Sequence, residues 1–382
     1  MKNLLILFSV LFFLTFATRQ SFAIEDPRSL PNNKVGIHIL FPSELADAAH
    51  LVNTSGGDWG YIIIPIQSGD KDLDKWQKFM DQARQLHIIP IIRLATEGDY
   101  FNTKVWRKPQ SSDVLDFANF LNSLNWPTKN RYIVVYNEVN RGDEYGGKPD
   151  PTDYAQLLSY AVTVFKSRNQ DFFIISAGMD NASANTSEAM NEYTYFNLMN
   201  QAVPGIFNQV DGLGSHAYPN PAFSVPPFIH TSESITSFIY ERDFIHVFTS
   251  KELPTFITET GWSRDSLADP TIGSYFIQAF TTVWNDPNVI AVTPFLLSAG
   301  AGPFQNFSFM KSDGSPSAIY NALVTLPKIK GKPTVIQVVL AMQVRTQQTP
   351  IEHFHVTTQK QSLQTFFDAE IKNFGKWLLH LE

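Results

Sequence analysis

The sequence contains no cysteine and has a net negative charge, and both features narrow what the protein can be. Without cysteine, the 382 residues form no disulfide, no thiolate zinc site, no lipid-modified cysteine and no cysteine nucleophile. The formal charge of −7 disfavours binding to nucleic acid or to anionic membranes. Neutral polymers such as glycans remain open as partners, and an aromatic content of 13% fits a sugar-binding surface.

Motifs for metal, phosphate and serine chemistry are also missing. The sequence has no His-Glu-x-x-His, Walker, calcium-loop or Gly-x-Ser-x-Gly pattern. His353 and His355 share one face of a strand-like segment, but no further ligands lie nearby, which indicates surface residues and not a metal site. The sequence therefore predicts neither a metal nor an organic cofactor.

Residues 1–23 have the pattern of a secretory signal. Lys2 supplies a positive start, residues 4–16 are almost all apolar, and Ser21 and Ala23 offer small residues for cleavage. An uncleaved anchor is the alternative, but the apolar run is short for a membrane span. We expect a secreted protein, extracellular or periplasmic, with no integral membrane span after cleavage.

Eight short apolar runs alternate with segments whose apolar residues recur every three to four positions. The runs predict buried parallel strands, and the segments between them predict amphipathic helices. This alternation predicts an α/β fold, a (β/α)8 TIM barrel over residues 24–327. A doubly wound open sheet is the alternative, but no Gly-rich phosphate loop follows the first run. The runs span residues 35–40, 59–66, 88–94, 132–138, 172–179, 210–218, 255–260 and 289–297.

Residues 328–382 form a short C-terminal extension. Residues 328–333 are rich in lysine and typical of a linker, residues 334–344 form a strand-like run, and residues 363–379 are amphipathic. About 50 residues are too few to predict an independent domain. We expect either an extension packed on the barrel or a partly ordered tail.

Two glutamates stand at the ends of apolar runs, where a carboxylate contributes nothing to packing. Glu138 ends the fourth run and Glu259 ends the seventh. Because the carboxyl ends of barrel strands carry the chemistry, the two side chains would face each other across the barrel mouth. Such a pair predicts glycosidic-bond hydrolysis by an acid/base and a nucleophile. The alternative is that each glutamate forms a structural salt bridge.

The residues around these glutamates resemble clan A glycoside hydrolases, a large group of retaining (β/α)8 enzymes. The matching segments are residues 135–140 (Val-Tyr-Asn-Glu-Val-Asn), 214–219 (Gly-Ser-His-Ala-Tyr-Pro) and 258–262 (Thr-Glu-Thr-Gly-Trp). The resemblance covers residues 34–326 and implies that Glu138 is the acid/base and Glu259 the nucleophile. It also implies that Asn137 contacts the 2-hydroxyl group of the sugar.

The same resemblance implies that His216 and Tyr218 line the cleft, with the tyrosine hydroxyl bonded to the nucleophile. The alternation of a strand points both side chains the same way, so one can contact substrate while the other orients a carboxylate. A satisfied polar residue at a strand end is the alternative for His216.

The chain departs from the clan at two places. The second strand ends without the arginine that bonds the nucleophile in many members. Arg93, at the end of the third strand, could take its place; an ion pair with Glu97 or Asp99 is the alternative. The eighth strand lacks the usual tryptophan under the sugar, which implies a narrower or less stacking floor and disfavours ordinary β-glucosidase substrates.

Several other residues are candidates for contact with the sugar. Trp262, close behind the predicted nucleophile, is the best candidate for a stacking platform, and His38 at the end of the first strand is a candidate for cleft polarity. Four more aromatic residues fall in predicted loops, where ordinary packing is the alternative. They are Tyr100, Trp106, Tyr145 and Phe223.

Together these features predict an exported retaining glycoside hydrolase that cleaves β-glycosidic bonds of oligo- or polysaccharides by double displacement. The expected partner is a carbohydrate. A non-catalytic glycan-binding barrel derived from such an enzyme is the alternative from another class. A barrel enzyme of phosphate chemistry is disfavoured, because residues 299–302 (Ala-Gly-Ala-Gly) are the one weak candidate for a phosphate loop. The sugar, the linkage and the oligomeric state are left open.

Overall fold

The computed structural model describes residues 24–97 and 103–336, in which eight parallel strands form a closed ring. The strands are β1 (Gly36–His38), β2 (Gly60–Gln67), β3 (Ile88–Ala95), β4 (Arg131–Val134), β5 (Phe172–Ile175), β6 (Leu213–His216), β7 (Thr255–Glu259) and β8 (Val289–Val292). Strands β1 to β5 pair in chain order, as do β6 to β8. Parallel bridges from Ile175 to Gly212 and from Val35 to Val292 close the ring. The predicted barrel is confirmed, and the doubly wound sheet was the wrong alternative.

Helices alternate with the strands, as the periodicity predicts. In the second of them Trp76, Phe79, Met80 and Ala83 are buried at the expected three-to-four spacing. The α-helices are α1 (Leu45–Asn53), α2 (Leu73–Gln85), α3 (Ser111–Ser123), α4 (Pro151–Arg168), α5 (Glu192–Ala202), α6 (Ile206–Gln209), α7 (Ser237–Ile245), α8 (Asp269–Thr281) and α9 (Ala318–Thr325). Short 3-10 helices span Pro27–Ser29, Pro42–Glu44, Val283–Asn285 and Pro303–Phe307.

None of the helices in residues 24–97 and 103–336 has the length and hydropathy that crossing a bilayer requires. The predicted secretory signal, residues 1–23, lies outside the described residues.

The two faces of each strand pack into two separate apolar layers. On β2 the outward residues Ile62, Ile64 and Ile66 join the layer between the ring and the helices, whereas Tyr61 and Ile63 point into the ring. Full burial of an isoleucine side chain stabilises a fold by about 1.5–3 kcal/mol, so the alternation fixes the register of the strands. The interior layer is completed by large side chains from β3, β4, β5 and β7, including Tyr132, Phe173 and Phe256. Because the interior of the ring is filled with apolar and aromatic side chains, a polar site has room only at the ends of the strands.

The described part of the C-terminal extension packs along the opposite, N-terminal rim. The Lys328 ammonium group is buried and donates to the carbonyls of Leu323 (2.6 Å) and Leu326 (3.1 Å), and burial lowers its pKa to about 8. Gly331 N–H donates to the carbonyl of Asp58 at 2.9 Å. Residues 328–333, which the sequence indicates as a linker, thus contact the barrel. The amphipathic segment and most of the strand-like run lie outside the described residues.

Candidate active site

Glu138 is carried by a strained turn that follows β4. Its φ is 32° and that of Tyr136 is 70°, both in the left-handed region that non-glycine residues rarely adopt. Each such residue costs on the order of 1–3 kcal/mol. The Glu138 N–H donates to the Gly178 carbonyl (3.0 Å), and the Glu138 carbonyl accepts from the Arg141 N–H (2.8 Å). These bonds hold the turn and present the carboxylate at the barrel mouth.

Glu259, the last residue of β7, is 6% exposed and is held by two donors. Arg93 Nη1 donates to Oε1 at 2.9 Å, and the Tyr218 hydroxyl donates to Oε2 at 3.1 Å. Arg93 comes from β3 and Tyr218 follows β6, so side chains from three strands meet here. Glu97, the alternative partner of Arg93, lies 3.7 Å from Arg107 instead. The other alternative partner, the aspartate at position 99, lies outside the described residues.

His216 lies between the two carboxylates and is 1% exposed. Its Nδ1 is 3.0 Å from Glu138 Oε1 and 3.8 Å from Glu259 Oε2. Burial alone would lower the pKa of the imidazole, but the Glu259 and Glu138 carboxylates outweigh it and raise the pKa. The expectation that His216 contacts substrate is wrong, because its ring is enclosed beside the carboxylates and does not line the cavity described below.

Two hydrogen bonds, one with Arg93 and one with Glu144, orient the side chain of Asn137. Its Oδ1 accepts from Arg93 Nη1 at 2.5 Å, and its amide group hydrogen-bonds to the Glu144 carboxyl. The side chain lines the cavity next to Glu138. Arg93 therefore links Asn137 to Glu259, and its two hydrogen bonds fix the amide group of Asn137 relative to the carboxylate of Glu259.

His38, expected to add polarity to the cleft, is fully buried behind Glu259. Its Nδ1 is 3.6 Å from Glu259 Oε1, and neither ring nitrogen has a hydrogen-bond partner among the described residues. Burial, together with the nearby Arg93 and His216, holds its pKa well below the usual range, so the imidazole is neutral. The ring packs edge to face on Phe295 at 5.0 Å. His38 is part of the wall behind the site and makes no surface for substrate.

Trp262 is not a stacking platform, and the prediction was wrong. The side chain is 1% exposed and packs against Phe276 (4.9 Å) and Trp284 (6.1 Å) in the layer between ring and helices. Its Nε1 donates to the Val225 carbonyl at 2.8 Å. The indole therefore belongs to this buried layer and does not line the cavity at the barrel mouth.

The four aromatic residues predicted in loops lie in different environments. Trp106 and Phe223 line the cavity that contains both glutamates. Tyr145 is buried and its hydroxyl donates to Asp153 at 2.8 Å, so ordinary packing is the correct interpretation there. Tyr100 lies outside the described residues.

The cavity has a volume of about 290 Å³ and two chemically different halves. A polar half lies beside Glu138. There the Arg141 guanidinium is 3.6 Å from the Glu138 carboxylate and 3.5 Å from the Asp180 carboxylate. An apolar half lies beside Glu259, because Tyr218 packs on Phe223 at 5.2 Å. The polar half consists of Asn137, Arg141, Glu144, Asp180 and Asn220. The apolar half consists of Leu40, Phe223, Phe295, Phe304 and Phe307.

Sequence reasoning missed the acidic and basic side chains of the polar half. Burial and, to a smaller extent, the negative charge of Glu138 raise the pKa of Glu144 to about 7. Arg141 forms ion pairs with Asp143 (2.7 Å) and Asp180 (3.5 Å). All lie in the loops after β4 and β5, where barrel chemistry is expected, so their position was the available signal.

Among the described residues, one group of side chains has ligand atoms close enough together to hold a metal ion. It consists of Glu138, His216 and Glu259. A carboxylate oxygen of each glutamate and a ring nitrogen of His216 lie within 4.8 Å of one another. A metal would compete with the Arg93 guanidinium for Glu259 and with the His216 imidazole for Glu138. Because hydrogen bonds already join these groups, the arrangement is better suited to proton transfer and nucleophilic attack.

The sequence matches no model of a protein family and has no significant match to a curated protein. Solved structures do share its fold. A family 39 glycoside hydrolase from Bacteroides cellulosilyticus is 16% identical with a TM-score of 0.53, over 79% of this chain and 64% of its own. A family 39 β-xylosidase from Caulobacter crescentus is 15% identical with a TM-score of 0.54, over 76% and 70%.

A family 128 endo-β-1,3-glucanase from Sorangium cellulosum is 14% identical with a TM-score of 0.52, over 77% of this chain and 98% of its own. The present chain spans less than two thirds of the length of the Bacteroides protein. At these identities the likeness is one of fold. The chain has the (β/α)8 barrel of these glycoside hydrolases, as its resemblance to clan A implied.

Proposed function

We propose that the protein is a retaining glycoside hydrolase that cleaves β-glycosidic bonds. The observation that carries the proposal is the pair of carboxylates, Glu138 and Glu259, whose nearest oxygens lie within 4.8 Å in one cavity. Carboxyl groups are about 5–5.5 Å apart in retaining glycosidases and roughly 6.5–9.5 Å apart in inverting ones. Two carboxylate oxygens within 4.8 Å of each other support the shorter, retaining spacing, and the solved structures of the same fold are described as glycoside hydrolases.

In the first step an oxygen of Glu259 attacks the anomeric carbon, and the bond from that carbon to the glycosidic oxygen breaks. Glu138 gives its proton to the departing oxygen. In the second step water attacks the same carbon, Glu138 takes the proton of the water, and Glu259 leaves as a free carboxylate. Asn137, beside Glu138, binds the 2-hydroxyl group, and Arg93 holds both Asn137 and Glu259 in place.

Two alanine variants and azide test the assignment with aryl β-glycosides. Glu138→Ala lowers kcat/KM by roughly 10²–10⁴-fold on a poor leaving group. On a substrate with a good leaving group, which departs without protonation, azide needs no general base, so it restores turnover of this variant and yields the β-glycosyl azide. In Glu259→Ala azide replaces the nucleophile and yields the α-glycosyl azide. Glu188→Ala, at an exposed position outside the cavity, is the control and keeps the wild-type rate. Wild-type rates in both active-site variants would refute the proposal.

A non-catalytic glycan-binding barrel is the second candidate. It is favoured by the 3.6 Å ion pair between Arg141 and Glu138, since such a pair would also satisfy a purely structural glutamate. Calorimetry that detects oligosaccharide binding, with no turnover of any sugar in a broad panel, would support this candidate over the enzyme.

We further propose that the protein is exported, on the basis of the signal pattern in residues 1–23. The amino terminus of protein recovered outside the cytoplasmic membrane is expected at Ile24. A variant lacking residues 1–23 is expected to stay inside the cell. Recovery of the full-length chain in the membrane fraction would instead support the uncleaved anchor.

A further inference from the structure

We infer that the retained sugar, the one bonded to Glu259 in the covalent intermediate, is a pyranose without a 6-hydroxyl group. Pentopyranoses and 6-deoxyhexopyranoses belong to this class. The inference rests on the proposed function and concerns the apolar half of the cavity, which that function does not explain. It follows from where the two halves lie relative to the two glutamates.

The chemistry of the two carboxylates assigns one half to each part of the substrate. Glu138 protonates the departing oxygen, so the leaving group lies in the polar half beside Glu138. Glu259 bonds to the anomeric carbon, so the retained sugar lies beside Glu259. The apolar half is next to Glu259 on two sides, because Phe295 packs on His38 behind this carboxylate and Phe307 packs on its partner Tyr218 at 6.2 Å.

The apolar half offers a sugar no polar side chain among the described residues. It is formed by Leu40 and four phenylalanine rings, which pack edge to face at 5.1 Å (Phe223 and Phe307) and 5.2 Å (Phe295 and Phe304). Tyr218 also lines the cavity, but its hydroxyl group donates to Glu259 at 3.1 Å, so its hydrogen is not available to an oxygen of the sugar.

The orientation of the ring decides which substituent meets this wall. The anomeric carbon has two neighbours in the ring, C2 and the ring oxygen. Since Asn137 in the polar half binds the 2-hydroxyl group, the ring oxygen and C5 point the other way, toward the apolar half. The group attached to C5 therefore contacts the phenylalanine rings. Hydrogen or a methyl group is suited to this contact, whereas a hydroxymethyl group would lose its water and gain no partner.

Three 4-nitrophenyl β-glycosides with the same leaving group test the inference on the intact protein. The glucoside, the 6-deoxyglucoside and the xyloside carry hydroxymethyl, methyl and hydrogen at C5, respectively. A hydroxyl group or a methylene changes transition-state binding in an apolar pocket by roughly 10- to 100-fold. We expect kcat/KM for the 6-deoxyglucoside to exceed that for the glucoside by such a factor. The xyloside lacks the methylene as well as the hydroxyl group, so we expect its kcat/KM to lie below that of the 6-deoxyglucoside. A glucoside that is hydrolysed as fast as the 6-deoxyglucoside overturns the inference and leaves the proposed function standing. If none of the three is hydrolysed but a glycoside that carries a 6-hydroxyl group is hydrolysed in the broader sugar panel, the inference is overturned and the proposed function stands. No turnover of any sugar in that panel overturns both.

Two variants at one position test whether the apolar half of the cavity causes the substrate preference. Phe304→Gln places an amide in the apolar half and is expected to bring the ratio of 6-deoxyglucoside to glucoside kcat/KM close to one. Phe304→Leu keeps the wall apolar and is expected to retain the preference. Thermal denaturation confirms that both fold, and Phe307→Gln replaces the first variant if it does not. An unchanged ratio in a folded glutamine variant overturns the inference.

Discussion

The His216 ring occupies the space that a side chain at Gly178 would need, behind the two glutamates. A Cβ atom on Gly178 would lie 2.2 Å from Cδ2 and 2.7 Å from Nε2 of the His216 ring, distances that folded proteins do not show. The imidazole can occupy its position only because residue 178 has no side chain. Gly178 also accepts the Glu138 N–H, so one glycine controls the backbone and the hydrogen-bond partner of the predicted acid/base.

Gly178→Ala is therefore expected to displace the His216 ring and with it Glu138. A displacement of about 1 Å in a catalytic group costs roughly 10²-fold in rate, and we expect kcat on an aryl β-glycoside to fall by that order. The matched control is Gly69→Ala, where an added Cβ meets nothing within 4 Å. Equal activities of the two variants would show that the position of His216 is unimportant for turnover.

Tyr218→Phe removes one of the two donors that hold Glu259. A hydrogen bond to a charged group contributes about 1.5–3 kcal/mol, so we expect kcat to fall by roughly one to two orders of magnitude. KM should change little, because the hydroxyl group is bonded to Glu259 and not available to substrate. Steady-state kinetics over a substrate range separates the two constants.

The same chemical change at the other end of the barrel serves as the control. The Tyr61 hydroxyl donates to Asn32 at 2.8 Å, near the N-terminal rim. Tyr61→Phe should lower the melting temperature without lowering kcat. A loss of kcat that is equal in both variants would mean that the effect of Tyr218 is one of general stability.

The strands and the two glutamates were predictable from the sequence because they follow from local physics. A run such as residues 88–94 is too apolar and β-branched for anything except a buried strand, and β3 is found at Ile88–Ala95. Glu138 and Glu259 stood out because a carboxylate at the end of such a run needs a reason other than packing.

Other features depend on contacts between distant segments, which periodicity does not reveal. Trp262 follows β7 as a stacking residue would, yet its ring turns toward α8, and only the packed structure shows this. Phe304 and Phe307 belong to a short 3-10 helix far from any motif, so their place in the cavity wall depends on how that helix packs against Phe295. His216 looked accessible because nothing local shows that it is enclosed between two carboxylates.

Trp262→Phe tests the corrected role of the indole. Truncation of a buried tryptophan to alanine costs about 3–5 kcal/mol, and the milder change to phenylalanine should cost less but still lower the free energy of unfolding. It also leaves the Val225 carbonyl without its indole donor. We expect a lower midpoint in urea denaturation and an unchanged KM. A raised KM with unchanged stability would reinstate Trp262 as a contact of the sugar.

Glu192 in α5 and Glu241 in α7 form a pair of acids behind β6, each 1% exposed. Burial raises the pKa of both. The pKa of Glu241 reaches about 7 although the Ser215 hydroxyl donates to it at 2.8 Å, and the charge of Glu241 raises the pKa of Glu192 further. In the unfolded chain a glutamate has a pKa of about 4.3, so the folded protein holds more protons above that pH.

The contribution of this pair to stability therefore falls as pH rises from about 4.3 through 7, because the slope of the unfolding free energy follows the protons bound by the unfolded minus the folded state. His216 adds a loss of the same sign, since its raised pKa gives stability at low pH that disappears as pH rises through it. Glu241→Gln should flatten the decline of melting temperature between pH 5 and 8 and raise the melting temperature at pH 8. Glu188→Gln, at an exposed position, should keep the wild-type slope. Parallel slopes for Glu241→Gln and the wild type would mean that the buried pair is already ionised in the folded protein.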